Sequence, residues 1–151
     1  MALIEIVVGA AILTTGILAI GTAFATYVQY ALANQHNAEA AYLLEEGQEV
    51  AGFWRDAGWN SNIAALSTTT SYYLYWAGTS WTATTTPQYS DGIFLRSIGI
   101  TDVRRNGTDD IAASGTYDPD TKNVSVNVSY VAGHATTTQT MSSYLTNLYS
   151  N

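Results

Sequence analysis

The chain has 151 residues, five of them basic against twelve acidic, with no cysteine and two prolines. The net charge of −7 excludes binding to nucleic acid through a basic face, because phosphate contacts need lysine and arginine. The missing cysteine excludes a disulfide framework, thiolate metal sites and thiol chemistry. Charged residues make up 11% of the chain, against about 25% in an average soluble domain. Ser, Thr, Asn and Tyr take their place, a composition that suits an extracellular, polymer-forming or sugar-decorated surface. The length accommodates one domain plus an extended helix.

Glu5 is the only formally charged residue before Glu39, counting His36 as neutral. It interrupts the apolar run Met1-Ala2-Leu3-Ile4-Glu5-Ile6-Val7-Val8. An ionised carboxylate in hydrocarbon costs about 3 kcal/mol on insertion scales, so this acid needs a partner that also lies in an apolar place. The nearest group of opposite sign is the α-amino group of Met1. From Ile6 to Ala33 the chain exceeds the roughly twenty apolar residues that span a bilayer. Thr14, Thr15, Thr22, Thr26 and Gln29 interrupt it, and a hydroxyl can bond back to the carbonyl one turn earlier. Gly9, Ala10, Ala11, Gly16, Ala19, Gly21, Ala23 and Ala25 would let another helix approach closely. The plain reading is a single-pass anchor. The sharper reading is a helix that serves first in the bilayer and later in the core of a helical fibre. Gly16 and Gly21 each cost about 1 kcal/mol relative to alanine, which makes Thr14 to Thr22 the candidate segment for local helix melting.

The helical pattern continues beyond the apolar run. Ala40, Leu43, Leu44 and Val50 recur near helical spacing, with Glu39, Glu45, Glu46 and Glu49 largely on other faces. No proline precedes Pro87. The pattern predicts one helix from about residue 2 to about residue 55, roughly 80 Å long at 1.5 Å per residue. Gly52, Gly58 and Asn60 mark its end, and Phe53, Trp54 and Trp59 are expected to pack that end onto a head domain. The organisation is then an apolar half-helix (1–28), an amphipathic half-helix (29–56) and a β-rich head (57–151).

The head reads as antiparallel β-structure. Ser71 to Trp76 and Trp81 to Thr86 flank a turn at Ala77-Gly78-Thr79-Ser80, the pattern of a hairpin. Gly92 to Ile98 and Ile100 to Arg105 form one bent strand or two. Thr116 to Asp118 and Asn123 to Val131 flank a predicted turn at Pro119-Asp120-Thr121-Lys122. Val124, Val126, Val128 and Tyr130 alternate with Ser125, Asn127 and Ser129, a strand with one buried face. A last strand spans Thr137 to Leu145. The predicted fold class is α+β: a long N-terminal helical spine, apolar in its first half, packed by its second half on an antiparallel sheet of four to six strands.

No catalytic constellation is present. His36 and His134 are isolated, no Gly-x-Ser-x-Gly elbow occurs, and no glycine-rich phosphate loop occurs. No cofactor is expected. A calcium loop needs oxygen ligands at alternate positions, and in Asp118-Pro119-Asp120-Thr121-Lys122 the third of these is a lysine, so no metal site is expected. Asp109-Asp110 reads as a solvated loop. Asn106-Gly107-Thr108 is a sequon on a predicted loop, whereas the sequons at Asn123 and Asn127 fall inside a predicted strand. The threonine triplets beginning at Thr68, Thr84 and Thr136 are candidate O-glycosylation sites or β-prone linkers.

The opening Met1-Ala2-Leu3-Ile4-Glu5 followed by a long apolar run resembles the mature N-terminus of type IV pilins and of the pseudopilins of type II secretion. Tyr42 to Val50 with Arg55-Asp56-Ala57-Gly58-Trp59 is more loosely similar to a run in prepilin-type proteins. The resemblance implies a mature chain freed of its leader, with Met1 N-methylated and Glu5 of one subunit neutralising the Met1 amine of its neighbour. It implies a structural, non-enzymatic subunit of an extracellular filament, held in the cytoplasmic membrane by its helix before assembly. The partners it implies are other copies of the chain, an inner-membrane platform, an assembly ATPase and a prepilin peptidase. The alternatives are a pseudopilin or minor pilin, and an anchored binding domain that never polymerises. The chain departs from the pattern in two places. Many members carry a helix-weakening proline where Thr22 stands, and many close a C-terminal loop with a disulfide that this chain cannot form.

Overall fold

The computed structural model describes residues 2–133 and 135–148. The chain divides into two compact units, Met1–Ala38 and Glu39–Asn151. One α-helix, α1 (Ala2–Ala57), contributes to both. It is unbroken, as expected of a stretch with no proline and with threonines whose hydroxyls turn inward to the backbone. Gly58, at φ 151°, ends it. Any side chain there would be strained, and a Cβ would stand 2.6 Å from Ser61 Oγ. A short π-helical turn (Trp59–Ile63) follows.

In the second unit the strands are β1 (Tyr72–Trp76), β2 (Trp81–Thr84), β3 (Tyr89–Ser90), β4 (Phe94–Arg105), β5 (Ile111–Ala112), β6 (Thr116–Ala132) and β7 (Ala135–Thr146). They form one antiparallel sheet in the order β2-β1-β4-β6-β7, with β3 and β5 also paired to β4. The α+β fold of the sequence reading is thus the observed one. The two-residue strands β3 and β5, too short to leave a period in the sequence, bring the sheet to seven strands.

The core forms because α1 and the sheet each carry one apolar face. Ala40, Leu44, Gly47, Val50, Ala51 and Trp54 are the buried residues of α1. On the sheet, Phe94, Ile98 and Ile100 of β4 and Val124, Val126, Val128 and Tyr130 of β6 are buried at alternate positions. Trp59 and Ile63 of the π-helical turn complete the cluster. Small residues on α1 allow a close approach. A Cβ added at Gly47 would lie 2.6 Å from Val126 Cγ1, so glycine is required for contact rather than for a turn. Arg96, 3% exposed, enters this core from β4. Its guanidinium donates to the Leu43 carbonyl at 3.3 Å, pairs with Glu46, and lies 5.1 Å from the centre of the Trp81 ring. The buried charge is therefore held by a carboxylate, a carbonyl and an aromatic face.

Two expectations are corrected. Phe53 does not pack the helix end onto the head, because it is 66% exposed. It shares a stripe with Tyr42, Glu45 and Glu49, all exposed, at spacings that return to one helix face. Trp54 and Trp59 do pack as expected. The predicted turn at Pro119 to Lys122 is no turn, since β6 runs through it. Its pairing with β4 jumps from Asp102↔Lys122 to Val103↔Asp118, leaving Pro119, Asp120 and Thr121 without β4 partners. Proline lacks an N–H to donate, and such an irregularity is where a strand tolerates it. The segment Gly92 to Arg105, open between one strand and two, is the single strand β4.

The tight seat at Gly47 yields a prediction. Gly47→Leu in the full chain in detergent micelles should destabilise the head by about 1–3 kcal/mol through overpacking. Tryptophan fluorescence reports this directly, because every tryptophan lies in the second unit. The melting temperature should fall by several degrees, and Val126→Ala should restore part of the loss. An unchanged midpoint would show that the helix is not seated on Val126.

Candidate assembly surface

Every residue of α1 from Ala2 to Leu32 is exposed. That stretch includes Leu3, Ile4, Ile6, Ile12, Leu13, Ile17, Leu18, Ile20 and Phe24, each more than 60% exposed. Burying side chains of this kind is worth about 1.5–3 kcal/mol each, so the segment gains tens of kcal/mol on entering an apolar phase. The helix is long and apolar enough to cross a membrane. Its threonine interruptions are internally satisfied. Thr14 Oγ1 donates to the Ala10 carbonyl at 2.8 Å, Thr15 Oγ1 to those of Ala11 and Ile12 at 3.0 and 2.9 Å, Thr22 Oγ1 to Ala19 at 2.9 Å, and Thr26 Oγ1 to Thr22 at 2.9 Å. No other side chain lies within 4 Å of the space a Cβ would take at Gly9, Gly16 or Gly21, so these positions are open notches.

Glu5 lies in the first turn of α1 and is exposed, as are its apolar neighbours. A carboxylate there complements the positive end of the helix dipole, but that end supplies only about half an elementary charge. Met1, to which both the pairing and the methylation expectations attach, lies outside the described residues, as does His134. The helix is continuous through Gly16 and Gly21.

The remaining candidate positions are dispersed over the head. Asn106 Oδ1 accepts from the Thr108 and Asp110 amides, each at 2.9 Å, and from Thr108 Oγ1 at 2.8 Å, which fixes the carboxamide within its own loop. Thr68 and Thr136 are exposed, whereas Thr84 is half-buried on β2 and its Oγ1 accepts from the Thr86 amide at 3.1 Å. The sequon residue Asn127 is half-buried on β6, with Oδ1 accepting from Thr140 Oγ1 at 2.7 Å.

The acidic segments turn toward the chain's own bases. Arg105 Nε donates to Asp118 Oδ2 at 2.6 Å, and Arg105 Nη1 to the Asp109 carbonyl at 2.8 Å. The Asp118 carboxyl is held below the usual carboxylate range, chiefly by that bond to Arg105, against the cost of its burial. The Arg105 guanidinium is raised in turn, first by the same bond. Lys122 Nζ bonds to Asp102 and, at 2.8 Å, to Tyr117 Oη. Burial pulls the Lys122 ammonium down, but Asp102 and Tyr117 together outweigh it and the net shift is upward. Among the described residues no three His, Asp or Glu side chains group closely enough to hold a metal ion. The sequence singled out Lys122 only as a misplaced calcium ligand. Its real partner lies twenty residues away on another strand, a distance no local pattern reveals.

The structure defines an α+β protein whose long N-terminal helix is apolar and membrane-compatible in its first part and packs on an antiparallel sheet in its second. Compared with known proteins, the chain matches no family model, no curated sequence and no solved structure.

The Arg105–Asp118 pair contributes to the acid behaviour of the head. A depressed folded pKa stabilises the fold above the unfolded value of about 3.9, and that contribution is lost as pH falls through the folded value. Asp118→Asn should lower the melting temperature at pH 7 and flatten its decline below about pH 4. Parallel acid profiles for parent and variant would show that the pair does not contribute.

Proposed function

We propose that this chain is a structural subunit of a type IV pilus-like filament. It is held in a membrane by α1 before assembly and is then packed by that helix into the core of a helical fibre. The observation that carries the reading is the lone carboxylate of Glu5 in the otherwise uncharged, exposed apolar stretch of α1 from Ala2 to Leu32. An anchor alone is weakened by an acid at that depth. A polymer gains from it, because a neighbour's α-amino group then has one register in which to dock. The notches at Gly9, Gly16 and Gly21 support helix-on-helix packing in an apolar medium. The resemblance of the first residues to mature pilins implies methylation of Met1 and service by a prepilin peptidase, an assembly ATPase and a platform protein. The fibre would display the sheet domain outward, and the subunit would act by assembly rather than by catalysis.

Glu5→Ala should leave the chain inserted in membranes at the parental level while surface filaments disappear. Electron microscopy of producing cells, with the membrane fraction blotted in parallel, reads both quantities. Normal filament yield would rule out the assembly role. Absence of filaments in the parent as well would favour an anchored domain that does not polymerise. In the fibre, α1 is expected to open between Thr14 and Thr22, where Gly16 and Gly21 lower the cost and threonine hydroxyls can take up freed carbonyls. A filament structure with an unbroken i to i−4 ladder from Ile12 to Phe24 would show that the glycines serve close packing instead.

A further inference from the structure

β7 is an edge strand of twelve residues. It pairs with β6 from Thr121↔Thr146 to Ala132↔Ala135 and with no other described strand. It contains no charge, no glycine and no proline. Long edges are templates for pairing with another chain, and natural sheets blunt them with charge, proline, bulges or brevity. The rest of this sheet does so. The opposite edge strand β2 has four residues and is followed by Pro87. The part of β6 that extends beyond β7 carries Asp118, Pro119 and Asp120. β7 has none of these devices.

The backbone groups that face the open side are identifiable. Gln48 Nε2 lies 3.4 Å from the Val124 carbonyl oxygen and 2.9 Å from that of Met141. One atom can reach both only if both carbonyls point into the gap between β6 and β7. Antiparallel ladders alternate bonded and non-bonded pairs, and Val124 and Val126 pair with Ser143 and Met141. The intervening residues Thr138, Thr140, Ser142 and Tyr144 therefore direct their N–H and C=O groups to the free edge. All four are exposed. Two of their side chains are already held on the outer face of the sheet, Thr138 by Ser129 at 2.8 Å and Thr140 by Asn127 at 2.7 Å.

We propose that the free edge of β7 pairs antiparallel with β7 of a second copy of this chain, joining two heads in one continuous sheet. The uncharged β7 permits this occupant. Copies carrying −7 each repel one another over most of their surface, and β7 is a long extended stretch where neither contributes a charge. A basic partner would be drawn to the acidic loops and would gain nothing at β7. Self-pairing is also complementary: the antiparallel arrangement sets hydroxyl residues opposite hydroxyl residues, a favourable cross-strand combination. The contact is two-fold and closes on itself, so it joins heads in pairs. It does not rest on the filament reading, because it needs only two copies of the head.

The test is site-resolved hydrogen exchange of the full chain in detergent micelles across a dilution series. The amides of Thr138, Thr140, Ser142 and Tyr144 should exchange slowly at high concentration and quickly on dilution. Those of Gln139 and Met141, bonded to β6 in either state, should not change. Ser142→Lys should abolish the concentration dependence without altering the tryptophan-monitored melt, and Tyr144→Lys serves the same purpose if the first variant misfolds. Edge amides that exchange quickly at every concentration would overturn the proposal. Protection independent of concentration would place a segment of the same chain on the edge and would equally overturn it. So would concentration-dependent protection that survives both lysine variants but is lost in Glu5→Ala, because the helix would then be the cause.

Discussion

Hydrocarbon tolerates almost no unpaired backbone polar group, and the apolar half of α1 is built in a way that meets this constraint. A proline-free helix satisfies it, and the threonines that interrupt the apolar run add no open demand because their hydroxyls close onto carbonyls three or four residues earlier. The one charged group in the stretch is the carboxylate of Glu5. Glu5 is thus informative because it is the one charge in an uncharged stretch, and the proposed pairing with a neighbour is the reading that accounts for it.

Past Ala38 the same helix meets a different requirement. It must lie close to a twisted sheet, and close approach depends on what is absent from its surface. Ala40, Gly47 and Ala51 are buried, and at Gly47 a single methyl group would collide with Val126. Larger residues at either side, Leu44, Val50 and Trp54, fill the space this leaves. Arg96 ties the layers together. A buried guanidinium is unfavourable unless its charge is met, and here helix backbone, helix carboxylate and the Trp81 ring converge on it. No disulfide is available to this domain, so packing of this kind carries its stability.

Features with a short period were legible in the sequence. The long helix, the hairpin at Ala77 to Ser80 and the alternation of Val124 to Tyr130 all repeat within a few residues, and the structure reproduces them. Features set by distant partners were not legible. Pro119 and Asp120 read as a turn because that is their local preference, but β4 pairing at Asp118 and Lys122 on either side, β7 pairing from Thr121 onward and the Asn147 bonds to Asp120 carry the strand through them. Phe53 reads as core by composition, yet its angle on the helix, one residue from Trp54, turns it outward. Arg96 gave no signal at all, since its hydrogen-bonding partners Leu43 and Glu46 stand 53 and 50 residues away. For the candidate site, Glu5 and the glycine notches were visible in sequence because both stand out against a uniform background, whereas the Met1 end of the proposed pair lies beyond the described residues.

The outer face of the central sheet carries Leu95, Ser97 and Thr101 on β4, Asn123 to Ser129 at alternate positions on β6, and threonine, serine and tyrosine on β7, with no Asp, Glu, Lys, Arg or His among the β4, β6 and β7 positions just named. Ionic screening acts on charges and has nothing to act on across this patch. Contacts made there through hydroxyls, amides and peptide groups should therefore keep their strength from dilute fresh water to brine.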